Sequence, residues 1–325
     1  MSALSSLLEL EMAALAPGSG LDRYLRAGAL FARVPFRKER NTMSISTAPQ
    51  AQEASDSKLD VIVNSADIEL PRSLKVARRD HIAIVSLARA EKCNALDTNT
   101  VLGLEAFFTS LPEGIKAVVL VGEGKHFCAG LDLGELTEHD IADSIAHSRN
   151  WHRAFERIES GRVPVVAVLH GAVIGGGLEI AAACHLRVAE SSTYYALPEA
   201  SRGIFVGGGG AVRLPRLIGT ARMMDMMLTG RIYEAEEGQA IGISNYLVPS
   251  GAGLAKAIEI ATRIASNSPI SNFAITHALP RIAQSDPASG YMAEALIAAI
   301  AQHSDEARAR LKAFREKRAP KTTRT

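Results

Sequence analysis

The sequence predicts an α/β fold with a mostly parallel sheet, followed by a helical layer. Two observations carry that prediction. Between residues 81 and 189, short β-branched runs alternate with longer stretches of helical periodicity, as parallel strands and their crossover helices do. Beyond about residue 220 the alternation stops and helical patterns follow one another. An apolar share of 47% against 22% charged residues is the balance of an ordinary globular protein, neither disordered nor fibrous.

Each element has its own signal. Residues 81–87 (HIAIVSL) alternate and are β-branched, which reads as a strand. Residues 97–110 read as a helix, with Asp97 at the N-cap and Val101, Leu102, Leu104, Phe107 and Phe108 at helical spacing. KAVVLV at 116–121 is a short buried strand, and Gly122-Glu123-Gly124 turns out of it. Residues 141–159 form a long helix with Ile145, Trp151 and Phe155 on its apolar side. Residues 165–169 are the next strand, Gly175 to Gly177 lead into a helix through Ala183, and 186–189 are a strand again. Past 220, residues 221–228, 254–265, 269–282, 292–302 and 304–318 read as helices, with Pro280 an interruption, and only 245–248 looks extended. The expected organisation is an N-terminal extension at 1–57, expected to be flexible, an α/β core at 58–265 and a C-terminal helical subdomain at 266–325.

Composition narrows the function. Lysine plus arginine is 36 and aspartate plus glutamate 35, so no basic footprint speaks for nucleic acid or a membrane surface. Three cysteines (Cys93, Cys128 and Cys184) make no disulfide framework and match no zinc spacing, so the expectation is no metal and a reducing, cytoplasmic setting. Aromatics are 5%, too few for a base-stacking surface. Val163 to Cys184 is apolar and of about spanning length, but Pro164, His170, Glu179 and the glycines within it favour strand, turn and buried helix. At the other end, residues 2–15 are rich in leucine and alanine and read as a short amphipathic helix, ended by Pro17-Gly18-Ser19-Gly20. The arginines that follow resemble a transit peptide, but Glu9 and Glu11 argue against one, and Met43 opens a second start. A non-core extension is the preferred reading.

The glycine clusters do not make nucleotide fingerprints. In 207–212 (GGGGAV) Val212 stands where the last glycine of G-x-G-x-x-G belongs, and Val119 stands where a P-loop before Gly124-Lys125 needs its first glycine. Neither H-E-x-x-H nor G-x-S-x-G occurs. Three pieces remain: FCAGLDL at 127–133, HGAVIGGGLE at 170–179, and ALPE at 196–199 with SRGIFVGGGGAVRLPRL after it. The second piece is a strand running through glycines into a helix. A helix start leaves N–H groups without partners, and glycine lets another molecule approach them, so the place suits an oxyanion. Glu179 falls in the first helical turn, among Leu, Ile and Ala, where a buried carboxylate needs a reason. Either it complements the helix dipole or it faces the same cavity as the donors. Glu199 alone would read as a surface loop acid. Together the two carboxylates make an acid–base pair: one takes a proton from water and the other supplies one to carbon.

These pieces together resemble the crotonase superfamily, the enoyl-CoA hydratases and isomerases. KCNAL at 92–96, FCAGLDL at 127–133, HGAVIGGGLEIAAAC at 170–184 and LPE at 197–199 match its motifs in order and spacing. RLPRLIG at 213–219, LTG at 228–230 and FREKR at 314–318 continue the match, which spans roughly residues 75–320. The resemblance implies a ββα superhelix core with a C-terminal helical trimerisation subdomain, an acyl-CoA thioester substrate and a homohexamer, with a trimer second. It implies an oxyanion hole from the backbone amides of Leu131 and Gly176. Lys92, Ala95, Leu96, Ala129, Leu131, Asp132, Leu133, Gly134 and Gly176 would contact the CoA thioester. Glu179 would deprotonate water for attack at Cβ, and Glu199 would protonate Cα. No cofactor is implied, since CoA is part of the substrate.

Having both acids favours hydration, because the family's isomerases commonly keep only the counterpart of Glu199. Residues 161–190 and 193–219 also resemble hydratases of (methylthio)acryloyl-CoA. Ala90 stands where the family often has proline and His185 where many members have aspartate. The adenine-side lysine has no match around residues 275–279. Cys128 and His170 read as packing and strand-end residues, Arg213 and Arg216 as structural or interfacial. The competing functions are enoyl-CoA isomerisation and, from another class, a non-catalytic crotonase-like protein that binds RNA.

Overall fold

The computed structural model describes residues 60–61, 69–135 and 140–318. The expected extension at 1–57 and the helix at 2–15 lie outside the described residues. A seven-stranded sheet forms the centre. Its edge is antiparallel: β1 (Asp60–Val61) pairs with β2 (Leu74–Arg79), and β2 with β3 (Ile82–Leu87). From β3 onward every pairing is parallel, through β4 (Ala117–Gly122), β5 (Val165–Leu169), β7 (Leu186–Glu190) and β10 (Tyr246–Val248). β2 carries Lys75, Arg78 and Arg79, charged residues that gave it no apolar signature in the sequence.

The inner strands are covered on both faces, which is why they read as unbroken apolar runs. One face is packed by α1 (Thr98–Thr109) and α2 (Ile141–Glu159), through Leu104, Phe107, Phe155 and Ile158. On the other, Ile84, Val119, Val166 and Val188 meet Ala257, Ile260 and Ala261 of α7 (Gly253–Ser266). The caps are local chemistry. Asp97 accepts from Thr100 N at 2.8 Å and Asp140 from Asp143 N at 2.8 Å, each satisfying an amide at its helix start. In α2 the buried residues are Trp151, Ala154, Phe155 and Ile158, one stripe at helical spacing. Ile145, expected on that apolar side, is instead 59% exposed, because only the second half of α2 lies on the core.

A second, three-stranded sheet escaped the sequence reading. It consists of β6 (Ala172–Ile174), β8 (Tyr194–Ala196) and β9 (Tyr233–Glu234). Strands of two or three residues are too short to show alternation. Between β6 and β7 lies α3 (Gly176–Ala183), buried along its whole length. The run from 163 to 184, of about the length of a membrane span, is therefore β5, β6 and α3. Among the described residues no helix is long and apolar enough to cross a membrane.

Three helices follow β8: α4 (Gly210–Ile218), α5 (Thr220–Thr229) and α6 (Ala235–Ala240). α4 was not legible, since it opens on glycine and contains Pro215. Beyond α7 come α8 (Pro269–Phe273), a π-turn at Ala274–Ala278, α9 (Leu279–Ile282), α10 (Pro287–Gln302) and α11 (Asp305–Arg315). The helix expected at 269–282 is present as one run of helical backbone, and it widens to the π-turn just before Pro280, the interruption expected there.

Candidate active site

The first wall is the loop after β4. Cys128 N donates to Ala172 O at 3.0 Å and Ile174 N to Cys128 O at 3.1 Å, so the loop runs beside β6. Leu96 N donates to Gly130 O at 2.7 Å and Asp132 N to Leu96 O at 2.9 Å. In such a parallel bridge the residue between, Leu131, turns its own amide the other way. Gly130 has φ +94°, and a Cβ there would stand 2.7 Å from Ile174 O and 3.1 Å from Gly176 N. Glycine is what lets the loop cross the start of α3 this closely. Among the described residues neither Leu131 N nor Gly176 N has an acceptor. Both residues line a cavity of about 600 Å³. Two unpaired amides on one cavity, one of them at a helix N-terminus, are an arrangement that suits an oxyanion.

The two glutamates line the same cavity. Glu179, in the first turn of α3, is buried, and its Oε1 accepts from Gly208 N at 2.8 Å and Gly210 N at 2.7 Å. A Cβ at Gly210 would lie 2.8 Å from that oxygen, so the glycine run at 207–210 is a cradle for a carboxylate rather than for a nucleotide. Burial pushes the Glu179 carboxyl above its ordinary value; the amides of Gly210, Gly208 and Gly207 and the Arg213 charge oppose the rise. Glu199 opens a 3₁₀ turn, Glu199–Arg202, and is 7% exposed rather than a surface acid. Burial, assisted by the neighbouring Glu179 charge, pushes it up to about 7. Its Oε2 is buried with no partner among the described residues.

Of the expected CoA contacts, Lys92, Ala95, Ala129, Leu131, Asp132, Leu133 and Gly176 line the cavity. Leu96 and Gly134 do not. Leu96 is a fully buried core side chain whose backbone holds the loop, and Gly134 N donates to Asp132 Oδ1 at 3.1 Å. Asp132 is bound by Arg89 Nη2 at 2.8 Å and Lys92 Nζ at 3.0 Å, and these cations hold its carboxyl well below the usual carboxylate range.

A family model described as enoyl-CoA hydratase/isomerase matches residues 77–324. The chain belongs to that family. It is 32% identical to an enoyl-CoA hydratase of Mycobacterium tuberculosis over 260 residues, covering 78% of this chain and 98% of the relative. A Rhodopseudomonas palustris structure, described as a candidate enoyl-CoA hydratase, shares 52% identity and superposes with a TM-score of 0.75 over 78% of this chain and 98% of its own. The enoyl-CoA hydratase of Bacillus anthracis shares 33% identity, with a TM-score of 0.72 over 77% of this chain and 98% of its own. The architecture is therefore the crotonase fold, a mostly parallel α/β core with a C-terminal helical region.

In this crotonase chain several structural parts of the site had gone unread. Arg89 ties the loop together: besides Asp132, its guanidinium reaches Asp97 Oδ2 at 3.1 Å and the Ala95 carbonyl at 2.7 Å. Nothing in the sequence set this arginine apart from its neighbours. Trp151, read as a core residue, also lines the cavity. Lys92 is half-exposed yet paired with Asp132, so it is more than a solvated loop lysine. Cys128 is a packing residue as expected; its Sγ donates to Asn94 O at 3.1 Å and burial pushes the thiol up to about 12. His185, where many relatives have aspartate, is held neutral by burial at about 4; its Nδ1 accepts from Val165 N and its Nε2 faces Glu159 O at 3.1 Å. Arg213, expected to be structural or interfacial, is buried and ion-paired with Glu159.

Proposed function

We propose that the protein adds water across the 2,3 double bond of an enoyl-CoA thioester. The observation that carries this reading is the meeting of two buried carboxylates with two unpartnered amides in one cavity. The thioester oxygen sits between Leu131 N and Gly176 N. As the water oxygen bonds to Cβ, the C2=C3 π electrons shift towards the carbonyl and the thioester oxygen takes up the enolate charge, where each amide is worth roughly 3–4 kcal/mol. Ionised Glu179 takes the water proton. Protonated Glu199 gives its proton to Cα as the enolate collapses. A carboxyl near 7 is about half protonated at neutral pH, which suits the donor. Burial raises the Glu179 carboxyl towards the strength a base needs, while the Gly208 and Gly210 amides favour its ionised form. All proton carriers belong to the chain, and CoA enters only as part of the substrate. The CoA portion lies along Lys92, Ala95, Ala129 and Leu133.

Double-bond isomerisation is the second reading. The unpartnered Oε2 of Glu199 favours it, since one free carboxyl is enough to carry a proton between Cα and Cγ. A non-catalytic RNA-binding role finds no support in a net charge of +1. We place the enzyme in the cytoplasm, in keeping with its free cysteines, and as a homo-oligomer.

The test is product analysis with a 2-enoyl-CoA and a 3-enoyl-CoA. Hydration consumes the conjugated thioester chromophore and yields a 3-hydroxyacyl-CoA. If only the 3-enoyl substrate reacts, by migration of its double bond, hydration is wrong and isomerisation right. A panel of short, long and sulfur-bearing 2-enoyl-CoAs then checks the resemblance to (methylthio)acryloyl-CoA hydratases.

A further inference from the structure

Four consecutive glycines have no side chains to fix their own peptide planes. Yet Gly208 and Gly210 aim their amides at one Glu179 oxygen. Something outside the run must hold them. Arg213, one turn into α4, is buried, and its Nη1 donates to the Gly208 carbonyl at 3.1 Å. Its Nε donates to Glu159 Oε2 at 2.8 Å, at the end of α2. One guanidinium therefore ties the C=O of the residue whose N–H holds Glu179 to a carboxylate on another helix. The Glu159 end of the pair is 40% exposed, and an ion pair open to solvent adds little to stability, so the pair calls for a reason other than holding the fold together. The two side chains also line a second cavity of about 360 Å³, with His152, Arg216 and Arg281.

We propose that the Glu159–Arg213 pair is the positioning device of Glu179, acting through the Gly208 peptide rather than on substrate. The proposal rests on the hydratase reading of Glu179. The charges facing Glu179 are Arg213 from α4 and Glu199 from the 3₁₀ turn. Losing Arg213 removes the favourable one and frees the glycine amides at the same time.

The experiment uses full-length Arg213→Met, Arg213→Lys and Glu159→Gln, each alone and combined with Glu179→Gln, assayed for hydration of a 2-enoyl-CoA across pH. Arg213→Met should lower kcat by about 10- to 100-fold, the scale of a misplaced catalytic group. KM should stay within about twofold. The acid limb of kcat/KM should move to higher pH, because Glu179 then ionises less readily. Arg213→Lys should recover part of the loss, and Glu159→Gln should shift kcat in the same direction by less. Combined with Glu179→Gln, Arg213→Met should cost nothing further, since the group it positions is gone. The proposal is overturned if Arg213→Met lowers activity by the same factor with and without Glu179. It is equally overturned if kcat and the acid limb stay at wild-type values while only melting temperature falls. Should Arg213→Met not fold, Glu159→Gln decides by the same criteria, since that carboxylate is 40% exposed and its loss is tolerable. Near-normal turnover of Glu179→Gln alone would instead sink the hydratase reading and leave the geometry of the pair intact.

Discussion

Glu199 is the residue whose burial has the clearest consequence. A carboxyl raised to about 7 in the fold prefers to be neutral there. Its contribution to stability is fully present below the unfolded value near 4.5 and is lost as pH rises through about 7. The full difference corresponds to about 3 kcal/mol as an upper bound. Glu199→Gln removes the ionisation, so the variant should melt higher than wild type at pH 8.5 and show little difference at pH 4. The same variant should lose about 10²- to 10⁴-fold in hydration, the contribution of a general acid. Thermal melts at the two pH values check the first statement; an equal shift at both would mean that Glu199 ionises freely in the fold. That this residue belongs with Glu179 was legible, because carboxylates in apolar surroundings demand explanation. The groups that tune them were not. Gly208, Gly210, Arg213 and Glu159 reach Glu179 directly or through one another only after α2 and α4 are packed, and no local pattern encodes that meeting.

At the scale of elements, α3 is the part on which the site is hung. Its N-terminus supplies one of the two unpaired amides on the cavity and its first turn supplies Glu179. Gly175, before it, has φ +52° and ψ −121°, a conformation essentially confined to glycine. A Cβ at Gly175 would stand 2.7 Å from Glu199 Oε1. Gly175→Ala should therefore cost about 1–3 kcal/mol of stability from backbone strain alone. It should also lower kcat by more than it raises KM, since it displaces Glu199 rather than the CoA contacts. Steady-state kinetics beside a denaturant melt read both effects, and an unchanged kcat would show that Glu199 tolerates the intrusion. The long elements around α3 were readable from periodicity: β3, β4, β5, α1 and α2 fall within a residue or two of expectation. The short ones were not. β6, β8 and β9 exist because the loops after β5 and β7 are pressed together, and α4 because its glycines approach a carboxylate.

For the molecule as a whole, the C-terminal helices pose a solvation problem that one copy of the chain does not solve. α7 buries Ala257, Ile260 and Ala261 against the sheet. Beyond it, α10 leaves Tyr291, Met292, Leu296 and Ile300 more than half exposed, and Leu311 and Phe314 of α11 are also half exposed or more. Phe273, Ile275 and Leu279 add to the same C-terminal layer. So many exposed large apolar side chains on neighbouring helices mark an interaction surface. The sequence already gave these helices apolar residues, but periodicity cannot say whether an apolar face meets its own core or another subunit. The oligomer expected from the family resemblance, a homohexamer with trimer second, would give that surface a partner. Sedimentation velocity should find one of these species, and Leu296→Asp with Ile300→Asp should shift the distribution towards monomer. The double variant should retain the secondary structure of the core, since neither side chain packs into it. A wild-type chain that sediments only as monomer across the micromolar range would leave the exposed faces of α10 and α11 unexplained by self-association.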